Sequence, residues 1–343
     1  MSATAFAEIP PAAAVAGDDP RIGVLLMAYG GPSSLDELPG YLADIRAGRS
    51  TSRAVLDELT RNYAAIGGRS PINDLTEVQA AAIESQLNPL GIPRRFAVYV
   101  GMRHWMPWIE ETVGQMLDDG ITRAVTLVLA PHFSSLSIAK YQGRIAQGLV
   151  IYRGAMHLAH IDSYHDAPGL IDALAARVVA GVERWPLDER ERVHMMFSAH
   201  SLPTRVVAAG DPYDRQVRET ARLVAARAGV PAERWSWSYQ SAGRSPEPWL
   251  GPPIAAHLTA LAAEGVRDVV SVPVGFVCDH VEILYDIDID AQRIAVSLGM
   301  RLERPPALND DAGFIRQLAS LIRDRASTAG WLGAMTPSGA PST

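Results

Sequence analysis

Cysteine is almost absent from this 343-residue chain, which has one, Cys278. That excludes an intrachain disulfide framework and an iron–sulfur cluster held by several cysteines of this chain. A reducing cytosol is the natural setting, so a cytoplasmic location is expected. No run of about 18 apolar residues occurs, so no transmembrane segment is expected. No basic block occurs, and the formal net charge is −7; neither nucleic acid nor an anionic membrane is expected as a main partner. The first apolar strand is not followed by Gly-x-Gly-x-x-Gly, and neither a P-loop nor a Gly-x-Ser-x-Gly elbow is present. Gly67-Gly68-Arg69-Ser70-Pro71 is rich in glycine but lacks those spacings. Dinucleotide or nucleoside triphosphate use therefore has little support.

What is present is a core-forming composition, 48% hydrophobic, in a chain long enough for one large or two ordinary domains. Residues 1–20 are rich in Ala and Pro and lack the basic start and apolar core of a signal peptide, so they read as a disordered tail. Residues 328–343, rich in Gly, Ser and Pro, read the same way.

Between the tails the chain repeats itself. Arg21 to Pro32 and Arg192 to Pro203 are both short apolar runs that end in a polar turn with proline, and their alignment sets Tyr29 against His200. Phe96–Gly101 matches Trp235–Gln240, and each leads to a Pro-Trp pair, Pro107-Trp108 and Pro248-Trp249. Ala124–Ala130 matches Val269–Gly275, preceded by Gly120-Ile121 and Gly265-Val266, whose glycines suit the position just past a helix. Apolar strands alternating with helical patterns imply parallel sheets with helices on both faces. The expected fold is α/β: two similar doubly wound, Rossmann-like domains with a cleft between them. The first spans 21–165 and the second 166–312, and an amphipathic helix at 313–327 crosses back to the first.

In open α/β sheets, ligands bind outside the carboxyl ends of the strands. His200 stands at such an end, where a neutral imidazole can bind a transition metal or accept a proton near pH 7. After the last matched strand, Glu282, Asp286 and Asp290 are spaced by four and form one stripe on a regular helix. Like charges at that spacing destabilise a helix by ~0.2–0.5 kcal/mol per pair. Such a stripe can pass protons or hydrated cations inward, with Glu282 innermost. His280, two residues before Glu282, falls on another face of a regular helix and reads as a supporting residue. Asp279 reads as the N-cap, and Cys278 as a buried, inert thiol. In the first half, Pro131 to Ser137 offers hydroxyls and His132 but no acids, which suits gripping an organic substrate. Tyr29-Gly30-Gly31-Pro32 allows close approach of a flat ligand. Arg46 and Arg49 could hold carboxylates or simply be solvated at a helix end.

Several of these segments, taken in order, resemble the ferrochelatase family, closest to its soluble bacterial coproporphyrin type. They are Tyr63 to Pro71, Leu129 to Ser134, Ser198 to Pro203, Gly210-Asp211-Pro212-Tyr213, Pro248 to Pro252 and Asp279-His280-Val281-Glu282. The resemblance runs from Ile22 to about Ile322. It implies a chelatase-type fold and a lyase that inserts Fe²⁺ into coproporphyrin III, with release of two protons, in haem biosynthesis. It implies that His200 and Glu282 are the metal and catalytic pair. Asp286 and Asp290 become an outward proton or cation ladder able to hold a hydrated divalent ion such as Mg²⁺. Tyr29 lies next to the macrocycle, with Arg46, Ser70 and Tyr141 near its carboxylates. Asn62 departs from relatives that carry a basic residue there. Fe²⁺ is then a substrate, no cofactor is retained, and the lone Cys278 argues against the iron–sulfur cluster of some relatives. The implied form is a monomer with transient contacts to neighbouring haem-pathway enzymes. A protoporphyrin IX enzyme, a chelatase for another metal and tetrapyrrole, and a non-catalytic porphyrin or haem carrier remain alternatives.

Overall fold

The computed structural model describes residues 21–91 and 93–332. The tail expected at 1–20, and 333–343 of the tail expected at the other end, lie outside the described residues. The first half contains β1 (Ile22–Ala28), α1 (Leu38–Ile45), α2 (Arg53–Ala65), α3 (Ile72–Leu87), β2 (Phe96–Met102), α4 (Ile109–Asp118), β3 (Arg123–Val128), α5 (Ile138–Ile151) and β4 (His157–Ile161). The second contains α6 (Pro168–Val182), β5 (His194–His200), α7 (Thr204–Ala208), α8 (Tyr213–Arg227), β6 (Trp235–Gln240), α9 (Ile254–Ala263), β7 (Asp268–Val272), α10 (Val281–Leu284), α11 (Gln292–Ser297) and β8 (Arg301–Glu303), and α12 (Ala312–Thr328) follows.

The two sheets are parallel and identically ordered, β2-β1-β3-β4 and β6-β5-β7-β8. This is the α/β fold expected from the sequence. Gly120 and Gly265 both take positive φ, 75° and 90°. The next residues, Ile121 and Val266, each donate back into the preceding helix, to the Met116 and Leu261 carbonyls. Only glycine adopts that left-handed turn without strain.

Each sheet also has a fourth strand that the repeat does not mark. β4 and β8 lie at sheet edges, and sequences such as His157-Leu158-Ala159-His160-Ile161 and Arg301-Leu302-Glu303 lack the mostly apolar character of the central strands. An edge strand keeps solvated positions, so its sequence resembles a loop.

The largest cluster of buried side chains runs continuously through both halves, from Val24 and Leu127 of the first sheet to Phe197 and Val270 of the second. Separate clusters fill the other faces. α6 packs against β7 and α8, and α12 packs on α3, α6 and the β3–β4 edge. α12 buries Phe314, Leu318 and Ile322 completely, each contributing about 1.5–3 kcal/mol. One expectation needs correction, because order extends past residue 328. Trp331 donates its backbone N–H to Ala326, and Trp331 and Leu332 pack on the shared core. Two large apolar side chains outweigh the local Gly and Ser content.

Candidate active site

β1 and β5 are inner strands of their sheets, as are β3 and β7, and the carboxyl ends of β1 and β5 open into one cleft of about 350 Å³. Tyr29 follows β1 directly and His200 ends β5; both line this cleft, together with Ser70, Tyr141 and Glu282. The duplicated architecture thus delivers an aromatic from one half and an imidazole from the other.

His200 is fixed by its own backbone. Its Nδ1 lies 2.5 Å from the Ser201 carbonyl oxygen, which can only accept, so Nδ1 carries a proton and Nε2 is the nitrogen left to face Glu282 and the cleft. Nε2 lies 3.6 Å from Glu282 Oε1. On the other side of the carboxylate, His280 Nε2 lies 3.7 Å from Oε2, while its Nδ1 pairs with the Cys278 carbonyl at 3.0 Å. Burial pushes the Glu282 carboxyl up, but His200 and His280 together outweigh burial and leave it below the ordinary range. For His280 burial acts downward, and the Glu282 carboxylate reverses it to a net upward shift.

His280 therefore sits beside Glu282 rather than on another face. It occupies the extended N-cap position of α10, outside the helix, so helical periodicity does not apply to it. Asp279 is not the cap. Its carboxylate pairs with Arg304 Nη1 at 2.9 Å and accepts from Asn309 Nδ2 at 2.9 Å.

The acid stripe is not carried by one regular helix. After α10 the backbone widens into a π-helix over Asp286–Ala291 before α11. Asp286 is half-buried and accepts a hydrogen bond from Ser241 Oγ, Asp288 is held by Arg304, and Asp290 is exposed. Burial, reinforced by the Glu282 charge and opposed by Ser241 and the two imidazoles, raises the Asp286 carboxyl to about 6. Among the described residues no group of three or more His, Cys, Asp or Glu side chains gathers in a metal-binding arrangement. A divalent ion at Asp286 or Asp290 would therefore keep most of its waters.

The opposite wall carries hydroxyls, rings and one guanidinium. Arg103 lies 6.0 Å from the Tyr29 ring and 5.4 Å from the Tyr141 ring, and donates to the Leu136 carbonyl at 3.2 Å. Desolvation, with the Glu282 charge adding to it, raises the Tyr29 phenol to about 12. The His104 ring packs tilted against Tyr29, with centroids 4.5 Å apart, and pairs with Asp44 at 2.6 Å. Ser70 and Tyr141 are buried in this wall. Arg46 lies outside the cleft lining: it caps the C-terminus of α1, and its carbonyl accepts from Arg49. The sequence reading missed Arg103, although its position just past β2 is the strand-end signal that singled out His200. Cys278 is buried, and desolvation pushes its thiol up to about 12.

An imidazole lone pair and a carboxylate facing an apolar, roomy cleft can accept protons from a ligand and hand it a metal ion. That arrangement, on paired parallel sheets, defines a metal chelatase. Solved chelatases share the fold: the sirohydrochlorin chelatase SirB from Bacillus subtilis subspecies spizizenii in complex with cobalt has a TM-score of 0.53 at 10% identity, covering 90% of this chain and 97% of that one. SirB from Bacillus subtilis with Fe³⁺ has a TM-score of 0.56 at 11% identity, over 90% and 97%. The particular family follows from sequence. The ferrochelatase family model matches residues 21–326, and the chain belongs to that family. A ferrochelatase of Deinococcus radiodurans is 58% identical over 306 residues, 89% of this chain and 96% of the relative. A coproporphyrin III ferrochelatase of Geobacillus sp. strain WCH70 is 41% identical, over 89% and 98%. The chain is thus a metal chelatase of haem biosynthesis that binds a porphyrin and iron. No helix among the described residues is long and apolar enough to cross a membrane.

Proposed function

We propose that the chain inserts Fe²⁺ into coproporphyrin III, releasing the two pyrrole N–H protons without redox change, as a lyase. The observation that carries this reading is the His200 Nε2–Glu282 pair at 3.6 Å, in a cleft whose other wall offers aromatic faces, hydroxyls and Arg103. His200 accepts a pyrrole proton or donates to entering Fe²⁺, and Glu282 binds the metal or relays the proton to Asp286. Asp290, exposed beyond it, exchanges protons or hydrated cations with solvent, and a hydrated Mg²⁺ is a candidate occupant. Tyr29 faces the macrocycle. The hydroxyls of Ser70 and Tyr141, with Arg103, receive peripheral carboxylates, of which coproporphyrin III has more than protoporphyrin IX. Coproporphyrin III ferrochelatases recur among the relatives, at 39–41% identity, which supports the same choice.

The test is anaerobic insertion followed by loss of free-base porphyrin fluorescence, with coproporphyrin III and protoporphyrin IX in parallel. A clear coproporphyrin preference is expected. A protoporphyrin preference would overturn the substrate assignment. Porphyrin binding without Fe²⁺ insertion would point instead to another metal or to a carrier.

Asp286 sets a second expectation. Its carboxyl, raised to about 6, is an acceptor above that pH and is neutral below it. As the relay acceptor, it makes the insertion rate fall as pH drops through about 6. Asp286→Asn should lower kcat at neutral pH by about tenfold or more and erase that acid limb. A variant that keeps both the rate and the limb would remove Asp286 from the relay.

A further inference from the structure

In the Gly210-Asp211-Pro212-Tyr213 turn, whose Tyr213 lines the cleft, one carboxylate gathers four donors. Asp211 Oδ2 accepts from Ser135 N at 2.7 Å, Ser135 Oγ at 2.8 Å and Ser134 Oγ at 3.1 Å. All three donors belong to the loop between β3 and α5, in the other half of the molecule. Asp211 Oδ1 accepts from Tyr213 N at 3.1 Å, within its own turn. Ser134 and Ser137 of the gripped loop line the cleft, and the loop runs straight into α5, which carries Tyr141. Arg103 donates to Leu136 at the loop's middle. From the same turn, the Tyr213 hydroxyl donates to the His200 carbonyl at 2.9 Å.

We propose that Asp211 is a positioning residue: its carboxylate clamps the Ser134–Ser135 loop of one half and fixes the porphyrin-gripping wall at a set distance from His200 of the other. The physical basis is the two-sided use of one carboxylate. A charged acceptor shared by three donors is short and strong. A loop held that way cannot drift without stranding them. Binding a flat macrocycle between two halves requires their separation to be set in advance, because small misplacements at a reacting centre are costly. The proposal rests on the reading that this cleft binds porphyrin.

Asp211→Asn separates the two jobs. Asparagine keeps an oxygen for Tyr213 N, so the local turn and its bond to His200 persist. Its amide NH2, however, turns a donor toward the Ser135 N–H, which can only donate, and forces the two hydroxyls to reverse their roles. The expected result, measured on the full chain, is a porphyrin KM raised by about tenfold or more, with the KM for Fe²⁺ unchanged. The absorbance and emission shifts of bound coproporphyrin III should shrink toward those of the free ligand. Ser135→Ala should act in the same direction more weakly. The Asp211→Asn/Ser135→Ala double variant should add less than the sum of the two, since both cut one contact. Should Asp211→Asn fail to fold, Ser135→Ala alone carries the test through porphyrin KM and the spectral shift. Unchanged porphyrin KM and spectra in the folded variants, with only thermal stability lowered, would reduce Asp211 to a structural role and overturn the proposal. A wild-type chain that binds no porphyrin would instead remove the underlying reading, and the proposal with it.

Discussion

His200→Ala is expected to abolish iron insertion while leaving porphyrin binding measurable. The imidazole is held by its Nδ1 proton on the Ser201 carbonyl, which leaves Nε2 as the nitrogen that faces Glu282 and can exchange a proton or bind a metal. A positioned proton acceptor of this kind contributes about 10²–10⁴ in rate, and kcat should fall by at least the lower figure. The porphyrin dissociation constant should change little. The cleft walls belong largely to other side chains, including Tyr29, Arg103 and Tyr141. Anaerobic single-turnover insertion measures the first effect, and quenching of protein fluorescence by added coproporphyrin III measures the second. Imidazole added to the variant should restore part of the rate if proton acceptance is the missing step, since a free base can enter the space the side chain vacates. Near wild-type turnover would shift the proton and metal chemistry to His280, which flanks the other side of Glu282 at 3.7 Å.

The sequence made the paired sheets and the ends of β1 and β5 legible, for a physical reason. Central strands of a parallel sheet are buried on both faces and are therefore mostly apolar, so their ends stand out where a polar turn follows. His200 and Tyr29 are found this way. The edge strands β4 and β8 carry no such signature. The segment after β7 was half legible. Glu282, Asp286 and Asp290 were recognisable by spacing, but a spacing rule assumes a regular helix, and here the backbone widens over Asp286–Ala291. Nor can a linear pattern show that His280 lies outside that helix. Arg304, eighteen residues beyond Asp286, gave no local sign that it turns back to grip two of the segment's carboxylates, because that contact exists only once β8 has paired beside β7.

That guanidinium carries the largest expected effect on stability. Arg304 exposes only 8% of its side chain. It makes two bonds to Asp288, at 2.6 and 2.7 Å, and an ion pair with Asp279 at 2.9 Å. Burial works against its charge, and the two carboxylates more than restore it. Removing the guanidinium strips both carboxylates of their cation; Asp279 keeps Asn309 and Asp288, 34% exposed, can rehydrate, so the cost falls at the lower end of the about 3–5 kcal/mol seen for buried pairs. Arg304→Met, which keeps much of the apolar stem, should therefore lower the urea midpoint by an amount corresponding to that range. It should also reduce insertion by the protein that remains folded. Asp279 immediately precedes His280, and Arg304 with Asn309 fixes the turn from which Glu282 projects. The control is to remove the stranded charges as well. Arg304→Met combined with Asp279→Asn and Asp288→Asn should recover most of the lost stability, because neutral groups are far cheaper to bury than unpaired carboxylates. It should recover less of the activity, since the Arg304 tether is then gone and only weaker contacts such as Asn309 Oδ1 on the Asp279 N–H still aim the His280–Glu282 turn into the cleft. Recovery of both would mean that the cluster serves the fold alone. A single Arg304→Met variant as stable as the wild type would mean that water reaches the two carboxylates and that the cluster is not a buried one in solution.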